Sequence, residues 1–423
     1  MKQHVMLFFL LLGTARISMA QGTVTLNIEQ CYDMLAKASP LAQQKALTIA
    51  AGKLAEKNYN LKWLPQVDLN AQATYQSEVT SFPAKLPNIT VDELSKDQYR
   101  TTLEIIQPVY DGGIIAGQKK LVDIMTDIES QKVEVDLYLL KSKVNTYFFT
   151  AVLMEDNIRL INILKEDLDN NIKKISAQAA NGVATANNVN VLKAELLKAE
   201  QKIIEFDASK KAAVQMLEIL TGLVIQENTS FIRPTASAEA ADVSITRPEL
   251  KLFDFQKQQF QQQYRLVNTK SNPKLSLFAN GGYGKPGLNM LKNEFQWYYI
   301  GGVKLSVPII NHFTRQKEKK LIKMQEQIVD KQKENFLSGS RQLVAQQKNE
   351  VEKYQKLVST DAEIVQLRTK IKENASVRLA NGIITSSDYI TELNAESQAM
   401  LTRKLHEIQW LQSQYNYKLI LGK

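Results

Sequence analysis

The sequence predicts a mainly α-helical chain with four β-strands long enough to cross a membrane, built as two copies of a helix–strand–strand–helix repeat. An internal duplication predicts the two copies. A ten-residue alternation of apolar and polar residues predicts the first strand. Long proline-free stretches, in which apolar residues recur at every third or fourth position, predict that the remainder is largely helical.

The first twenty residues have the composition of a secretory signal peptide. Lys2 and His4 precede an apolar run that ends at Leu12, and Ser18 and Ala20 provide small residues at the two cleavage positions. The apolar run is too short to span a bilayer, which disfavours the alternative of a retained membrane anchor. We therefore expect cleavage after Ala20 and export of the chain.

Composition excludes several classes of protein. Removing Lys2 and Arg16 of the signal peptide from the 53 basic residues leaves 51 against 44 acidic residues, and this excess is scattered along the chain. Scattered charge is typical of a solvated surface, so we expect no nucleic-acid partner. The single Cys31 excludes an intramolecular disulfide. No later run of eighteen apolar residues exists, which leaves an exported soluble protein or one that crosses a membrane by strands.

Side chains suited to catalysis or metal binding are sparse and dispersed. Beyond the signal peptide the only histidines are His312 and His406, and with one cysteine they suggest neither a metal-ligand cluster nor a Cys–His pair. No glycine-rich phosphate loop followed by Lys-Ser or Lys-Thr is present. We therefore expect no enzyme, no cofactor and no metal site.

A duplication divides the mature chain into repeat one, residues 21–222, and repeat two, residues 248–423, joined by a linker at 223–247. Landmarks of the repeats match at an offset of 208 residues near their starts and of 200 residues thereafter. The change in offset falls in a turn-rich loop before Pro108. The matching landmarks are Pro40 with Pro248, Pro65 with Pro273, Tyr75 with Tyr283, Pro108 with Pro308, 180–183 with 380–383, and 220–222 with 420–422.

Two strands are predicted in each repeat, at 66–76 and 97–107 in repeat one and at 274–284 and 296–307 in repeat two. Their length is close to the roughly 9–11 residues that a strand needs to cross a bilayer at a tilt. Since successive side chains point to opposite faces, each strand has a polar face and an apolar face. The polar residues of interest are Asp68, Asn70, Gln72, Thr74, Arg100, Glu104 and Lys304.

The strands of repeat two alternate less regularly. Phe278 interrupts the polar face, and we interpret Gly281, Gly282 and Gly284 as marks of curvature or bulges. Aromatic residues at 297–299 open the last strand, as expected for an interfacial girdle.

Each repeat is also expected to contain a hairpin of two very long helices. A helix from about residue 113 to 180 would reach roughly 100 Å and could bury its apolar stripe only against other long helices. The Asn-Gly pairs at 181–182 and 381–382 predict the turns, where glycine suits a left-handed cap. The expected caps of the returning helices are Asn187 or Asn188 in repeat one and Ser386 or Ser387 in repeat two.

Four strands cannot close a barrel, because even a small filled barrel takes about eight. An open sheet cannot lie in lipid, because its edge N–H and C=O groups would be unsatisfied. Strands that cross a membrane therefore require oligomerisation, with the polar faces lining a water-filled lumen. The residues alone predict an exported oligomeric pore with a helical extension.

The ordered landmarks resemble those of the TolC-type outer membrane efflux proteins over residues 27–423. They comprise the duplication, the strands that open at Pro65 and Pro273, the junctions at 108–113 and 308–311, the Asn-Gly tips, and the Leu-Thr-Gly ending of repeat one. The resemblance implies a homotrimer in the outer membrane. Three chains would together complete a twelve-stranded β-barrel on a long α-helical coiled-coil periplasmic barrel.

The resemblance further implies an exit duct of a tripartite efflux or type I secretion system. A periplasmic adaptor (membrane fusion) protein would dock at the hairpin tips and couple the duct to an inner-membrane pump of RND or ABC type. The tip residues implied are Ala180, Asn181, Gly182, Arg378, Leu379, Ala380, Asn381 and Gly382. The family narrows its tunnel entrance with two aspartates, whose positions here correspond to Asp388 and to Thr391 with its neighbour Glu392.

Two other classes of protein remain as alternatives. A periplasmic adaptor also has a long hairpin, but it would normally carry one hairpin flanked by soluble β domains. A coiled-coil scaffold without a channel would not explain the alternation at 67–76. The sequence does not separate drug, metal and protein cargo, because substrate choice lies largely in the pump.

Overall fold

The computed structural model describes residues 25–80, 94–226, 229–235, 244–309 and 312–423. The expected signal peptide and the turn-rich loop around 81–88 lie outside these residues, as does Asn311 of the second junction. The chain forms two compact units, and each contains parts of both sequence repeats. One unit combines residues up to Met34 with Val144–Ala236 and Leu357–Leu411, and the other combines Leu35–Lys143, Ser237–Lys356 and Gln412–Lys423.

The order helix–strand–strand–helix–helix occurs twice, and the first copy has an additional helix, α1 (Ile28–Ala38), before it. The elements are β1 Thr25–Leu26, α1 Ile28–Ala38, α2 Pro40–Leu61, β2 Gln66–Tyr75, β3 Asp97–Tyr110, α3 Ile114–Ala180, α4 Ala186–Thr221, β4 Ser230–Phe231, α5 Pro248–Thr269, β5 Lys274–Lys285, β6 Gln296–Ser306, α6 His312–Ala380 and α7 Ser386–Leu421. Helices α3 and α6 have 67 and 69 residues, and α4 and α7 have 36 residues each. The predicted fold class, mainly helical with four strands and a repeated helix–strand–strand–helix order, is confirmed.

The four long strands form one antiparallel sheet in the order β2-β3-β5-β6. The strands of the two repeats thus meet inside the sheet, where β3 of repeat one pairs with β5 of repeat two. Strand β3 continues beyond the predicted end at 107 as far as Tyr110. It does so with a shift of register between Pro108 and Tyr110, because proline has no N–H to donate to the ladder.

The linker between the repeats contains a strand that the sequence does not predict. The two-residue strand β4 pairs in parallel with β1 near the start of the chain. The N–H of Ile232 then donates to the carbonyl of Leu26 at 2.9 Å. Two-residue strands are too short to show an alternation, which is why the pattern of the linker does not reveal them.

The unit that contains Val144–Ala236 and Leu357–Leu411 has a hydrophobic core built from α3, α4, α6 and α7. Each helix contributes a stripe of apolar residues spaced by three or four, as a buried helical face requires. Fully burying a large apolar side chain stabilises a fold by roughly 1.5–3 kcal/mol. The core residues are Ile161, Leu164, Leu168, Ile175, Val189, Leu192, Ala199, Ala375, Leu379, Tyr389, Ile390 and Leu393.

No helix among the residues that the structure describes has both the length and the apolar character needed to cross a membrane.

The junction between β3 and α3 is organised by Asp111 and two glycines. The Asp111 carboxylate accepts from the N–H groups of Gly113 at 2.8 Å and Ile115 at 2.5 Å, and so caps α3. Gly112 and Gly113 have φ angles of 75° and 86°. The Asn272 side chain donates to the carbonyl of Gly112 at 2.8 Å and connects this junction to the entry of β5.

We predict that Gly112→Ala destabilises the protein more than Gly113→Ala. Both changes place a Cβ at positive φ, at a cost of about 1–2 kcal/mol. A Cβ on Gly112 would also lie 2.9 Å from the Cβ of Asn272, whereas a Cβ on Gly113 meets only Thr269 at 3.8 Å. Thermal unfolding followed by circular dichroism measures the difference, and equal midpoints would contradict this account of the junction.

Candidate functional site

The register of the sheet places the seven polar residues singled out in the sequence on one face. Directly opposed residues of an antiparallel pair share a face. Asp68 lies opposite Glu104, and Gln72 lies opposite Arg100. Other pairs of polar residues on this face are Asn70 with Thr102, Thr74 with Gln98, Glu104 with Asn280, and Ser276 with Lys304. We call this surface the polar face.

The opposite face of the sheet is apolar and exposed in the single chain. In β2, for example, Val67 and Leu69 are 58% and 71% exposed. An exposed apolar patch across four strands is much larger than isolated surface residues would produce. This apolar face comprises Val67, Leu69, Tyr99, Leu103, Ile105, Leu275, Leu277, Tyr283, Trp297, Tyr299, Val303 and Leu305.

Aromatic residues gather at the end of the sheet remote from the helices. The Tyr283 ring centroid lies 4.9 Å from that of Trp297 and 5.4 Å from that of Phe295. Phe295 also stacks on Tyr99 at 6.2 Å. Rings with an apolar body and a polar tip suit the boundary between an apolar layer and water.

The glycines of repeat two do not mark bulges, which corrects that part of the interpretation, whereas the curvature stays a prediction. The β5–β6 register runs without a shift from Lys274 to Gly284. Gly282 instead makes room for Tyr298, since a Cβ there would lie 2.4 Å from the ring. Gly302 likewise faces the Phe278 ring, at 3.1 Å from its would-be Cβ. The missed signal is an aromatic residue paired with a glycine on the neighbouring strand.

The two hairpin tips have the same backbone structure. Gly182 and Gly382 have φ angles of 77° and 70°. The N–H of Val183 donates to the carbonyl of Gln178, and that of Ile383 to the carbonyl of Arg378, both at 2.9 Å, as in a Schellman cap. The Asn181 and Asn381 side chains donate to the carbonyls four residues earlier.

The returning helices are capped by threonines, which corrects the expected asparagine and serine caps. The Thr185 side chain accepts from the N–H of Asn188 at 3.3 Å, and the Thr385 hydroxyl accepts from the N–H of Asp388 at 3.2 Å. The expected residues lie inside the first turn, where Ser386 is buried. The threonine at each helix start is the residue with its side chain placed to accept from the first turn.

The two tips are in contact with each other. Most of the predicted tip residues are exposed, and one is buried beneath them. Gln178 donates to the carbonyl of Ala380 at 3.0 Å. The predicted tip residues Ala180, Asn181, Gly182, Arg378, Ala380, Asn381 and Gly382 are exposed. Leu379 is only 3% exposed and belongs to the hydrophobic core, so we remove it from the docking surface. Val183 and Ile383, which the sequence analysis did not single out, are 73% and 64% exposed.

The three residues expected at the tunnel entrance lie along the first turns of α7, and each has a partner within the chain. The Asp388 carboxylate accepts from the Thr385 hydroxyl at 2.7 Å and from its N–H at 3.0 Å. These hydrogen bonds lower the pKa of Asp388 and so favour its charged form. The Thr391 hydroxyl donates to the carbonyl of Ser387, and Glu392 lies 3.4 Å from Arg368.

A buried polar network, which no local pattern in the sequence indicates, lies beneath the tips. Lys372 lies 3.2 Å from both Asp167 and Glu396, and Glu396 is nearly fully buried. Burial lowers the pKa of Lys372, but Glu396 and Asp167 outweigh burial and leave that pKa raised. The Asn171 amide donates to the Tyr389 hydroxyl at 3.1 Å, which adds a second polar link between α3 and α7.

The described residues contain no group of three or more metal-ligating side chains. His406 contacts Asp361, with 2.6 Å between Nδ1 and the carboxylate.

Comparison with known proteins identifies the fold. No protein-family model matches the sequence, and no curated protein matches it significantly. The Campylobacter jejuni CmeC outer membrane channel is 15% identical, with a TM-score of 0.66 over 93% of this chain and 85% of that chain. The outer membrane protein VceC of Vibrio cholerae is 15% identical, with a TM-score of 0.65 over 93% and 96%.

The open-state structure of the Neisseria gonorrhoeae MtrE outer membrane channel is also similar, at 14% identity and a TM-score of 0.64 over 93% of this chain and 89% of that one. At such low identity the similarity establishes the fold alone. The predicted resemblance is therefore confirmed at the level of the fold, and the chain has the fold of these outer-membrane channels.

We predict that Lys372→Met destabilises the protein by about 3–5 kcal/mol, because it leaves the buried Glu396 carboxylate unpaired. Lys370→Met, two residues away at an exposed position, is the matched control. Adding Glu396→Gln to Lys372→Met should restore much of the loss. Urea unfolding measures all three variants, and a Lys372→Met variant as stable as Lys370→Met would contradict the role of the network.

The same network predicts a dependence on pH. A raised lysine pKa contributes stability that is complete below the pKa of the unfolded chain, about 10.4, and is lost as pH rises through the folded value. The difference in stability between wild type and Lys372→Met should therefore be constant from neutral pH to about pH 9 and decrease only above about pH 10. A difference that disappears near neutral pH would show that the charge of Lys372 is not what stabilises the site.

Proposed function

We propose that this chain is a subunit of an outer-membrane exit duct of a tripartite efflux or type I secretion system. The duct conducts substrates passively, after an inner-membrane pump of RND or ABC type delivers them through a periplasmic adaptor. The chain performs no chemistry on its cargo. The observation that carries the proposal is a four-stranded sheet of bilayer-crossing length, with one polar face, one apolar face and two edge strands.

A ring of copies satisfies this sheet and a single copy does not. Strands β2 and β6 are the edges of the described sheet, and in lipid their outward N–H and C=O groups require partners. Since β2 and β6 run in opposite directions, pairing the β2 of one copy with the β6 of the next continues the antiparallel order. Three copies would supply twelve strands, the number implied by the resemblance to the TolC-type proteins.

The two faces of the sheet then meet two different solvents. The apolar face contacts outer-membrane lipid, and the polar face lines the lumen, as in known transmembrane barrels. The proposed lumen residues carry charges of both signs, with Asp68 and Glu104 balanced by Arg100 and Lys304. Mixed charge suits a duct that passes varied cargo. Export to the outer membrane is supported by the signal-peptide pattern and by the shared fold.

The hairpin tips are the proposed docking site for the periplasmic adaptor. Both tips expose an Asn-Gly turn followed by an apolar residue, Val183 or Ile383, and arginine is present only at the second tip, as Arg378. Because the two tips are in contact, these apolar side chains and the exposed turn residues are available together to a protein partner. Asp388, Thr391 and Glu392 on α7 form the proposed entrance constriction, where one acidic position of the family is occupied by threonine.

We predict that Leu69→Arg abolishes stable insertion into the outer membrane, whereas Asn70→Arg does not. The two residues are neighbours on β2 and lie on opposite faces. Arginine on the lipid face costs about 2–4 kcal/mol per chain near the middle of the bilayer, while the lumen tolerates it. Fractionation of membranes measures insertion. Equal insertion of the two variants would contradict the assignment of the faces.

We also predict that Ala380→Trp or Gly382→Pro stops export while leaving membrane insertion and assembly intact. A bulky or rigid residue at the turn blocks the surface that the adaptor must reach. Lys348→Trp, at an exposed position of α6 distant from the tip, is the matched control. Export of the system's cargo and copurification of the adaptor are the measurements. Normal export by Ala380→Trp would show that the adaptor docks elsewhere.

A further inference from the structure

Four apolar side chains interrupt the polar face of the sheet. Phe278 on β5 and Tyr298 on β6 both lie on this face, and Ile300 lies at the residue pair between them. Ile106 on β3 is directly opposite Phe278. We call these four residues the apolar track. The alternation that gives the sheet its polar face does not account for a continuous run of apolar side chains along the same surface.

The two aromatic rings of the apolar track lie along the sheet instead of standing away from it. The Phe278 ring leans over Gly302, and the Tyr298 ring leans over Gly282, in each case on the neighbouring strand. The hydroxyls of Tyr298 and Thr102 lie 2.7 Å apart, and this hydrogen bond holds the ring in its orientation. Both aromatic side chains are half-buried, so part of each ring remains open on the polar face.

Two lysines lie on the same face at one end of the apolar track. Lys304 belongs to the residue pair next to that of Phe278, and Lys274 belongs to the pair beyond it, both on the side of the helices. Both lysines are exposed, and neither forms an ion pair with a carboxylate of the described part of the chain. At about 3.4 Å per residue, Lys304 lies about 7 Å along the strands from the level of Phe278. A charged group and a ring are thus within the span of one small molecule.

The carboxylates of the polar face lie beside the apolar track and away from its lysine end. Asp68 and Glu104 are paired with each other on β2 and β3, at the level of Ile300. The two residue pairs of β5 and β6 that contain the lysines hold no carboxylate. Since opposite charges attract and like charges repel, the lysine end favours an anionic group.

We propose that Phe278, Lys304 and Lys274 form a binding site for small aromatic anions on the wall of the lumen, and that Ile300 and Tyr298 extend its apolar surface. The ring of the ligand stacks on Phe278, and its anionic group pairs with the lysines. Apolar surface with a few placed polar groups is the usual composition of a ligand site. The site rests on the proposed function, because this face lines a lumen only in a ring of copies. Its open position suits weak binding, which a conducting pathway requires for release.

Block of single channels tests the site. In planar bilayers, 2-naphthalenesulfonate should transiently interrupt the current through channels of the purified full-length protein, more often as its concentration rises. Methanesulfonate has the charge without the ring, and 2-naphthalenesulfonamide has the ring without the charge. At equal concentration we expect each of these two compounds to block at least about fivefold less. Block by either compound that equals block by 2-naphthalenesulfonate would overturn the site.

Two variants locate the site within the lumen, and two serve as controls. Phe278→Leu removes the ring but keeps an apolar side chain over Gly302, and Lys304→Gln removes an exposed charge. Each should weaken block by 2-naphthalenesulfonate at least about threefold, with the conductance of the free channel unchanged. Tyr299→Leu, on the opposite face, is the control for the ring. Arg100→Gln, on the same face but about 27 Å further along the strands, is the control for the charge. Neither control should change the block.

The outcomes separate the site from the duct. Channels that conduct normally but are not blocked by 2-naphthalenesulfonate would overturn the site and leave the duct intact. Equal effects of Arg100→Gln and Lys304→Gln would show that the anion responds to the overall charge of the lumen, which would also overturn the site. Block that survives in Phe278→Leu would remove the aromatic half of the site and with it the proposal. A protein that forms no channels would overturn the duct, and with it the lumen in which the site lies.

Discussion

The edges of the four-stranded sheet constrain the rest of the structure. An edge strand in lipid is untenable unless a neighbour pairs with it, and this sheet has both a polar face and an apolar face to protect. In the proposed ring of copies, pairing β2 with β6 of another copy would satisfy the backbone and would separate the two faces into lumen and lipid surfaces. One hydrogen-bonding requirement would thus account for both the proposed barrel and the proposed oligomer.

The helical part follows from a different constraint, the length of its apolar stripes. Helices of 67 and 69 residues must pack along other helices. The duplication supplies a second helical hairpin against which the first can pack. The core of α3, α4, α6 and α7 is mainly apolar, and Lys372, Asp167 and Glu396 form a polar network within it. The exposed tips and their buried support are therefore formed by adjacent residues, as Leu379 and Ala380 illustrate.

Patterns that repeat locally were predictable from the sequence, and pairings between distant residues were not. Alternation indicated the strands and their polar residues, because the period of two is visible within one segment. The alternation does not indicate that β3 continues beyond Pro108, where a shift of register accommodates the proline. Lys372 and Asp167 are 205 residues apart, so nothing in either segment reveals their contact. The threonine caps were missed because serine and asparagine, equally good caps, lie beside them.

The mass and the conductance of the detergent-extracted protein test the central claim most directly. The protein should be recovered from outer membranes as a complex of three chains, and the same complex should conduct ions in planar bilayers as discrete single channels. A monomeric protein that remains in the soluble periplasmic fraction and conducts no ions would contradict the claim that these strands close a pore between copies.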